Sequence, residues 1–563
     1  LQATRPMIPA SNMKLITSAA ALSTLGKDFA FTTRLLQYGS ELMIVGDGDP
    51  AFGDPVLLAE RNMDTDDPVD RWAEAVLAAG LGRVDRLVVN DRVFDHTERV
   101  HKHWPDDQLD KWYCAQVAAI NYNNNCIDLF AEPTSAGQPP RIDTLPSLAP
   151  VILDNRVKTG KSNAFWAARA KGTNRIVLRG TVRTSLPARI QVTVDDPAMF
   201  FGKLLQRRIE ARKKSDGTPR LRVDQVVRIG TGETAPGAKG RLLIEHRTPI
   251  EKILLRCNRD SQNLFAESMI RRLGHQITSQ PGTWSNGSAA VRMFLSRVLK
   301  ADAATVVVDD GSGLSRHNRV SAAALVRVLR HMHGSKKLSG IYLDSLASPA
   351  LKRGTLRRRF RSGIDISKLL GGRYLLVKTS TGNVRQRPTT NSKVVATCAR
   401  HEAVRIIGSQ GNWFQIQPLD SKKTGGWMHR NILTDEYFLR GSIRAKSGYI
   451  NGVVALSGYL SRGRRTIAFS MILNDYKRSA SSGKRLIDQT LLWLDKHLFD
   501  QEAESELKKL LASLEAARKL PEGNPRQRAL LAVRSDLLLL IQRYAGTPAA
   551  RKAEQNLALV TPP

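Results

Sequence analysis

Residues 8–26 read IPASNMKLITSAAALSTLG, and the reading of the whole chain grows from this stretch. Pro9 and the polar pair Ser11-Asn12 open it, an Ala/Leu-rich body follows and Gly26 closes it, which is the start, body and stop of a helix. Ser11 and Lys14 stand three apart at that start, so both side chains lie on one face. The helix dipole favours a developing alkoxide near Ser11. The apolar body buries Lys14 and helps strip its proton. A hydroxyl beside a lysine deprived of water is a nucleophile with its own base.

Two distant segments complete a set: Ser261-Gln262-Asn263 and Lys446-Ser447-Gly448. Each motif is common alone. Ser-x-x-Lys recurs at Ser481/Lys484 and Ser505/Lys508, and Lys-(Ser/Thr)-Gly at Lys158-Thr159-Gly160 and Lys423-Thr424-Gly425; only Ser-x-Asn occurs once. Context separates them. Ser481/Lys484 falls in a polar turn and Ser505/Lys508 in a charge-dense helix, where water keeps a lysine charged. Lys158-Thr159-Gly160 reads as a solvated basic loop, and Asn155 stands where a phosphate loop needs its first glycine. Lys423-Thr424-Gly425 reads as a tight turn before Trp427. Lys446 ends a short strand, SIRA, and precedes a long apolar strand, the place where an edge strand lines a cleft.

Around these motifs the chain changes character several times. Residues 33–45 read as two short strands about a Gly-Ser turn. LVVN (87–90), RIVLRGTVRT (175–184), ARIQVTVD (188–195) and VVRIG (226–230) read as strands, DRWAEAVLAAG (70–80) as a helix and 132–148 as a loop. Residues 247–300 and 323–333 turn helical. Residues 372–435 are short strands and turns, and the tail from about 500 alternates Leu with charge at helical spacing, giving two or three amphipathic helices.

Of 563 residues, 86 are Lys or Arg and 52 are Asp or Glu, a net charge of +34. Such a surface attracts polyanions: nucleic acid, acidic lipid or an anionic wall polymer. No nucleic-acid reading motif accompanies the charge, so no nucleic-acid partner is expected. No run of about 18 uncharged apolar residues crosses a membrane. Four cysteines are too few for a disulfide scaffold. Neither Cys-x-x-Cys nor His-Glu-x-x-His is present, and His101-x-His103 beside His96 lacks a clear carboxylate partner and reads as solvated, so no metal and no cofactor are expected. Cys257 reads as a buried thiol and Asp309-Asp310-Gly311-Ser312-Gly313 as a turn. The chain opens at Leu1, which reads as a fragment or processed product and leaves export undecided.

Together the three motifs resemble those of penicillin-recognising serine acyl-transferases. The words around them, GDGDP (46–50), AINYNNNCIDLF (119–130), RDSQNLFAE (259–267), DDGSGLSRHNRV (309–320), GTLRRRF (354–360) and KSGYINGVVALSGY (446–459), are similar to the D-alanyl-D-alanine carboxypeptidase/endopeptidase family, the class C low-molecular-mass penicillin-binding proteins. The likeness covers most of 1–360 and 440–497. It implies an α+β fold: a penicillin-binding-protein/serine β-lactamase-like transpeptidase core, a helix-flanked antiparallel sheet, from 1–32, 247–372 and 436–499. An α/β insertion at 33–246 lies between the first two motifs, as that family requires. Residues 373–435, with Asn383-Val384-Arg385-x-Arg387-Pro388, Trp413 and Gly426-Trp427-Met428, resemble a bacterial SH3-type barrel, and Trp413 and Trp427 read as its core. Residues 500–563 form a helical tail.

The resemblance also implies roles. Ser11 attacks the carbonyl between two D-alanines of a peptidoglycan stem peptide, with Lys14 as general base. Ser261 relays a proton to the leaving amine and Asn263 holds the substrate's amide backbone. Lys446 and Ser447 grip the terminal carboxylate. The N–H groups of Ser11 and Tyr449, beside Gly448, form the oxyanion hole. β-Lactams are then covalent inhibitors, the SH3-type unit a wall-binding module, and the setting the periplasm or another extracytoplasmic part of the envelope. Ser447 and Tyr449 stand where threonine is commoner in the family. Two rival readings stay open: a β-lactamase or esterase on the same scaffold, and a non-catalytic wall or polyanion binder.

Overall fold

The opening stretch is helical over Met13–Leu25, entered through a 3-10 turn at Ala10–Asn12. Every side chain from Met13 to Leu22 is buried, the mark of a helix wrapped by protein on all sides. The computed structural model describes residues 2–185, 190–230, 240–360, 364–365, 374–379, 381–399, 402–418, 423–434, 436–437, 442–462, 465–544, 547–557 and 560. Helices Ile250–Asn258, Asn263–Thr278, Trp284–Leu299 and Ala322–Gly334 pack around that first helix.

An antiparallel sheet of Ser442–Ile450, Val453–Arg462 and Arg465–Leu473 lies beside this bundle. Ala322–Gly334 covers one face, and the long helix Ala480–Arg518 packs on the same strands through Ile487 and Leu491. This is the helix-flanked antiparallel core that the fold reading anticipates. One local detail differs. The strand does not end at Lys446 but runs on to Ile450, because residues 446–450 pair in unbroken register with 453–457 across the Asn451-Gly452 turn. The strand Ser442–Ile450 is an edge of its sheet, and the N–H and C=O of Ala445 point outward to Ala347.

Between the first two motifs lies a mixed five-stranded sheet in the order Val223–Arg228, Val84–Asn90, Glu41–Gly46, Ala30–Tyr38, Arg241–Pro249. It packs on helices Asp67–Ala78 and Pro197–Glu210 through Trp72, Phe201 and Leu205. Two three-stranded sheets complete the insertion. Residues 132–148 are not wholly loop: Arg141–Leu145 pairs with Cys126–Glu132. The helix Pro197–Glu210 escaped the sequence reading, although Asp196 caps it by accepting the Met199 N–H. In ARIQVTVD, Ile190–Thr193 is a strand and 188–189 lie outside the described residues. Lys158 and Thr159 end the strand Ile152–Thr159 rather than lying in a loop.

The insertion is stitched to the core by Arg271, which is fully buried. Its guanidinium donates to the carbonyls of Gly282, Val117 and Asp95 at 2.7–3.0 Å and lies between the rings of Phe94 and Trp284.

Short strands from Tyr374–Val377 to Leu433–Thr434 form a barrel around Val384, Cys398, Val404, Ile416 and Met428. Trp413 and Trp427 are half-buried and stand outside that core, contrary to expectation. Helices Asn524–Arg543 and Pro548–Leu557 fold against the far half of Ala480–Arg518. That helix begins twenty residues before the expected tail and crosses residue 499 without a break.

Candidate active site

The 3-10 turn puts Ser11 at the mouth of the first helix, and one turn later Lys14 points inward with no exposed surface. Its amine contacts three oxygens: Ser11 Oγ at 3.0 Å, Asn263 Oδ1 at 2.6 Å and the Ser312 carbonyl at 2.9 Å. The last two accept only. A neutral amine has two N–H bonds and one lone pair. Both N–H bonds are claimed, so the lone pair of neutral Lys14 faces the Ser11 hydroxyl. Burial brings the Lys14 amine down to about 8 from the ordinary lysine range, against the opposing pull of Glu267 and Asp310.

Asn263 begins the helix Asn263–Thr278. Its Nδ2 donates to the Tyr113 carbonyl at 2.8 Å, which orients Oδ1 toward Lys14. Ser261, just before, has a left-handed backbone (φ +65°), which costs a non-glycine residue about 1 kcal/mol. A buried ion network holds that turn. Arg256 bridges Asp54 (2.9 Å) and Asp260 (2.5 Å), and Asp260 also accepts from Arg353 (3.0 Å).

Lys446 is fully buried and donates to Ser261 Oγ (2.8 Å) and to the Ser447 carbonyl (2.7 Å). Burial and the nearby charge of Lys14 push its amine well below the lysine range. Outward-facing backbone recurs with period two from Ala445, so the N–H groups of Ser447 and Tyr449 lie on the same open edge. A Cβ on Gly448 would stand 3.0 Å from the Pro9 carbonyl and 3.2 Å from Ser11 N, which brings this edge directly against the Ser11 backbone. The Tyr449 ring is exposed, with Lys484 Nζ 5.4 Å from its centroid.

Thus Ser11, Lys14, Ser261, Asn263, Lys446 and the 447–449 edge come together in one groove. The decoys do not form such a set. Lys423 pairs with Glu402, and Ser481/Lys484 opens a helix.

The sequence reading missed the floor of the groove. Asp309 to Gly313 is more than a turn, because its Ser312 carbonyl holds Lys14 and its Gly311 carbonyl accepts from Thr17 (2.7 Å). Asp310 clasps the loop by accepting from Gly313 N, Ser315 N and Trp104 Nε1. The repeated Asp and Gly of DDGSG were the available signal.

His101 is buried, not solvated. Its Nδ1 accepts the His103 N–H at 3.2 Å, and its Nε2 lies 3.7 Å from Asp309 Oδ2. His101, His103 and Asp309 lie within 4.8 Å of one another, a spacing that suits a cation. An imidazole that accepts at Nδ1, however, carries its proton on Nε2, so His101 offers no lone pair toward that point. Cys257 is buried as expected, and burial raises its thiol to about 12.

The model of the D-Ala-D-Ala carboxypeptidase 3 (S13) family matches residues 1–382 and 411–497, and that of the bacterial SH3 domain matches 380–434. A D-alanyl-D-alanine carboxypeptidase of Actinomadura sp. (strain R39) is 32% identical over 379 residues, 63% of this chain and 66% of the relative. The D-alanyl-D-alanine carboxypeptidase DacB of Haemophilus influenzae is 24% identical over 338 residues, 58% of this chain. The match thus spans 66% of the length of each of these two curated relatives. The crystal structure of penicillin binding protein 4 (dacB) from Haemophilus influenzae superposes with a TM-score of 0.56 at 19% identity, covering 85% of this chain and 87% of that one. A second structure of that protein, complexed with a β-lactam, gives 0.55 at 18% identity, covering 88% and 93%.

Proposed function

Because the chain belongs to the D-Ala-D-Ala carboxypeptidase 3 (S13) family, we propose that it is a serine D-alanyl-D-alanine carboxypeptidase/endopeptidase acting on peptidoglycan stem peptides through a Ser11 acyl-enzyme. The observation that carries this reading is a fully buried Lys14 whose two fixed acceptors leave its lone pair for Ser11 Oγ at 3.0 Å.

The Ser11 oxygen attacks the carbonyl carbon of the penultimate D-alanine while its proton passes to Lys14. The oxyanion forms between the N–H groups of Ser11 and Tyr449. The C–N bond then breaks. Ser261, which keeps its own O–H while accepting from Lys446, gives a proton to the leaving amine and is resupplied through the lysines. Water hydrolyses the ester by the reverse proton route. Lys446 and Ser447 receive the terminal carboxylate at the Lys446 end of the edge strand. That anion holds a proton on Lys446, and the charge so fixed keeps Lys14 neutral. The Asn263 amide, already engaged at both ends, serves first to aim Lys14. Its second N–H is left for a substrate carbonyl.

The division of labour belongs to the same proposal. The core at 1–32, 247–372 and 436–499 does the chemistry, 33–246 forms one flank, the barrel at 373–435 binds wall material, and the protein works in the extracytoplasmic envelope. No helix among the described residues is long and apolar enough to cross a membrane.

The direct test is fluorescent penicillin on the purified chain, read on a denaturing gel, together with D-alanine release from a pentapeptide ending in D-Ala-D-Ala. A covalent band that lasts for minutes, with D-alanine released, is expected. A band that vanishes at once favours the β-lactamase reading, and no band at all removes the enzyme reading.

A pH prediction follows from the buried amine. With Lys14 at about 8, roughly a tenth is neutral at pH 7 and nine-tenths at pH 9, so acylation should speed up about tenfold between them. Stopped-flow acylation rates that stay flat over this range would contradict Lys14 as base.

A further inference from the structure

Beneath Lys14 lies a carboxylate that no reacting atom touches. Glu267 sits one turn into the helix that Asn263 begins and has no exposed surface. It accepts three hydrogen bonds: from Ser312 N (2.7 Å), Gly311 N (3.0 Å) and Trp284 Nε1 (2.7 Å). Two of these donors belong to the two peptide units just before the Ser312 carbonyl, the acceptor of the Lys14 amine at 2.9 Å. One helix therefore reaches Lys14 twice, directly through Asn263 and indirectly through Glu267.

We propose that Glu267 is a positioning residue for Lys14. Its carboxylate grips the Gly311 and Ser312 N–H groups to fix the carbonyl that aims the amine, and its charge acts on that amine from below. This rests on the proposed function, since it assigns Glu267 to the same acylation step.

The charged and titratable groups facing this pair are few and come from separate elements. Asp310 belongs to the loop itself, and Cys257 approaches from Ile250–Asn258. Lys446 approaches from the edge strand, and Arg271 stands four residues along the Glu267 helix. Burial and Asp310 raise the Glu267 carboxyl to about 7, while Glu267 in turn favours the protonated form of Lys14. The sign of a charge deletion is thus set. Removing the negative charge makes the amine lose its proton more easily, so the alkaline rise of the acylation rate moves to lower pH.

Glu267→Gln tests this. The amide sets N–H against N–H at one backbone donor, so the Ser312 carbonyl shifts and the plateau acylation rate by fluorescent penicillin falls roughly tenfold to a hundredfold. The limb of the pH–rate profile moves down by about one unit. Glu267→Asp keeps the charge but falls short by one methylene, so its rate drops with the limb unmoved. A merely structural glutamate would lower the folded fraction, read by circular dichroism, and leave the limb of the folded remainder unchanged. A folded Glu267→Gln with wild-type rate and limb overturns the proposal. If that variant does not fold, a Glu267→Asp with full wild-type rate overturns it equally. A wild-type protein that never labels refutes the proposed function instead, so the two failures are distinguishable.

Discussion

Ser11→Ala should abolish covalent labelling by penicillin and lower D-alanine release by about 10⁴-fold or more. The alanine fits, since Ser11 is only partly buried and its Oγ has Lys14 as its hydrogen-bond partner. Thermal stability should therefore change little, which separates loss of chemistry from loss of fold. Lys14→Met should lower labelling by about 10³-fold, in the range of a lost general base. It removes a buried amine of similar length and leaves the oxygens of Asn263 and Ser312 without their donor. In the double variant the losses should not multiply, because a hydroxyl without its base and a base without its hydroxyl are the same defect. Labelling that persists in Ser11→Ala would move the nucleophile elsewhere, with Ser261 the first candidate to examine by peptide mapping.

The second large effect concerns the floor. At Gly313 the backbone has φ +80°, and a Cβ there would lie 1.8 Å from the Ala10 carbonyl oxygen. That oxygen belongs to backbone one residue before Ser11 and cannot move aside alone. Gly313→Ala should cost about 3–5 kcal/mol, seen as a lower thermal-unfolding midpoint. In whatever folds, displacing Ser11 by about 1 Å should slow acylation about a hundredfold. A variant with unchanged midpoint and labelling rate would show that the contact between the loop and the first helix is slack.

The groove was legible in the sequence to the extent that it is built from side chains whose chemistry is local. Ser11 and Lys14 announce themselves by helical spacing under a polar start, and Ser261 and Lys446 by motif order. The gap between the first two motifs marked an insertion. What remained hidden works through backbone. Ser312 contributes a carbonyl, Gly313 an absence of Cβ, and Glu267 two contacts with N–H groups 44 and 45 residues away. Residue type says little about such roles. His101 was misread because two of the groups around it, Trp284 and Asp309, come from distant segments that only the fold brings to it. The Lys446 strand was cut short because the Asn451-Gly452 turn, a hairpin signal in plain view, was passed over.

The helix Ala480–Arg518 has one further consequence. Its 39 residues measure about 58 Å at 1.5 Å per residue. Its near end packs against the strands that carry Lys446, and its far end joins two helices, one of which brings Arg551 within 3.5 Å of Glu402 on the barrel. A rod of this kind works as a caliper. For wall material held by the barrel, as proposed above, the rod helps to set the stand-off from the groove, so lengthening it by whole turns should change which attachment points come within reach without altering Ser11 or Lys14.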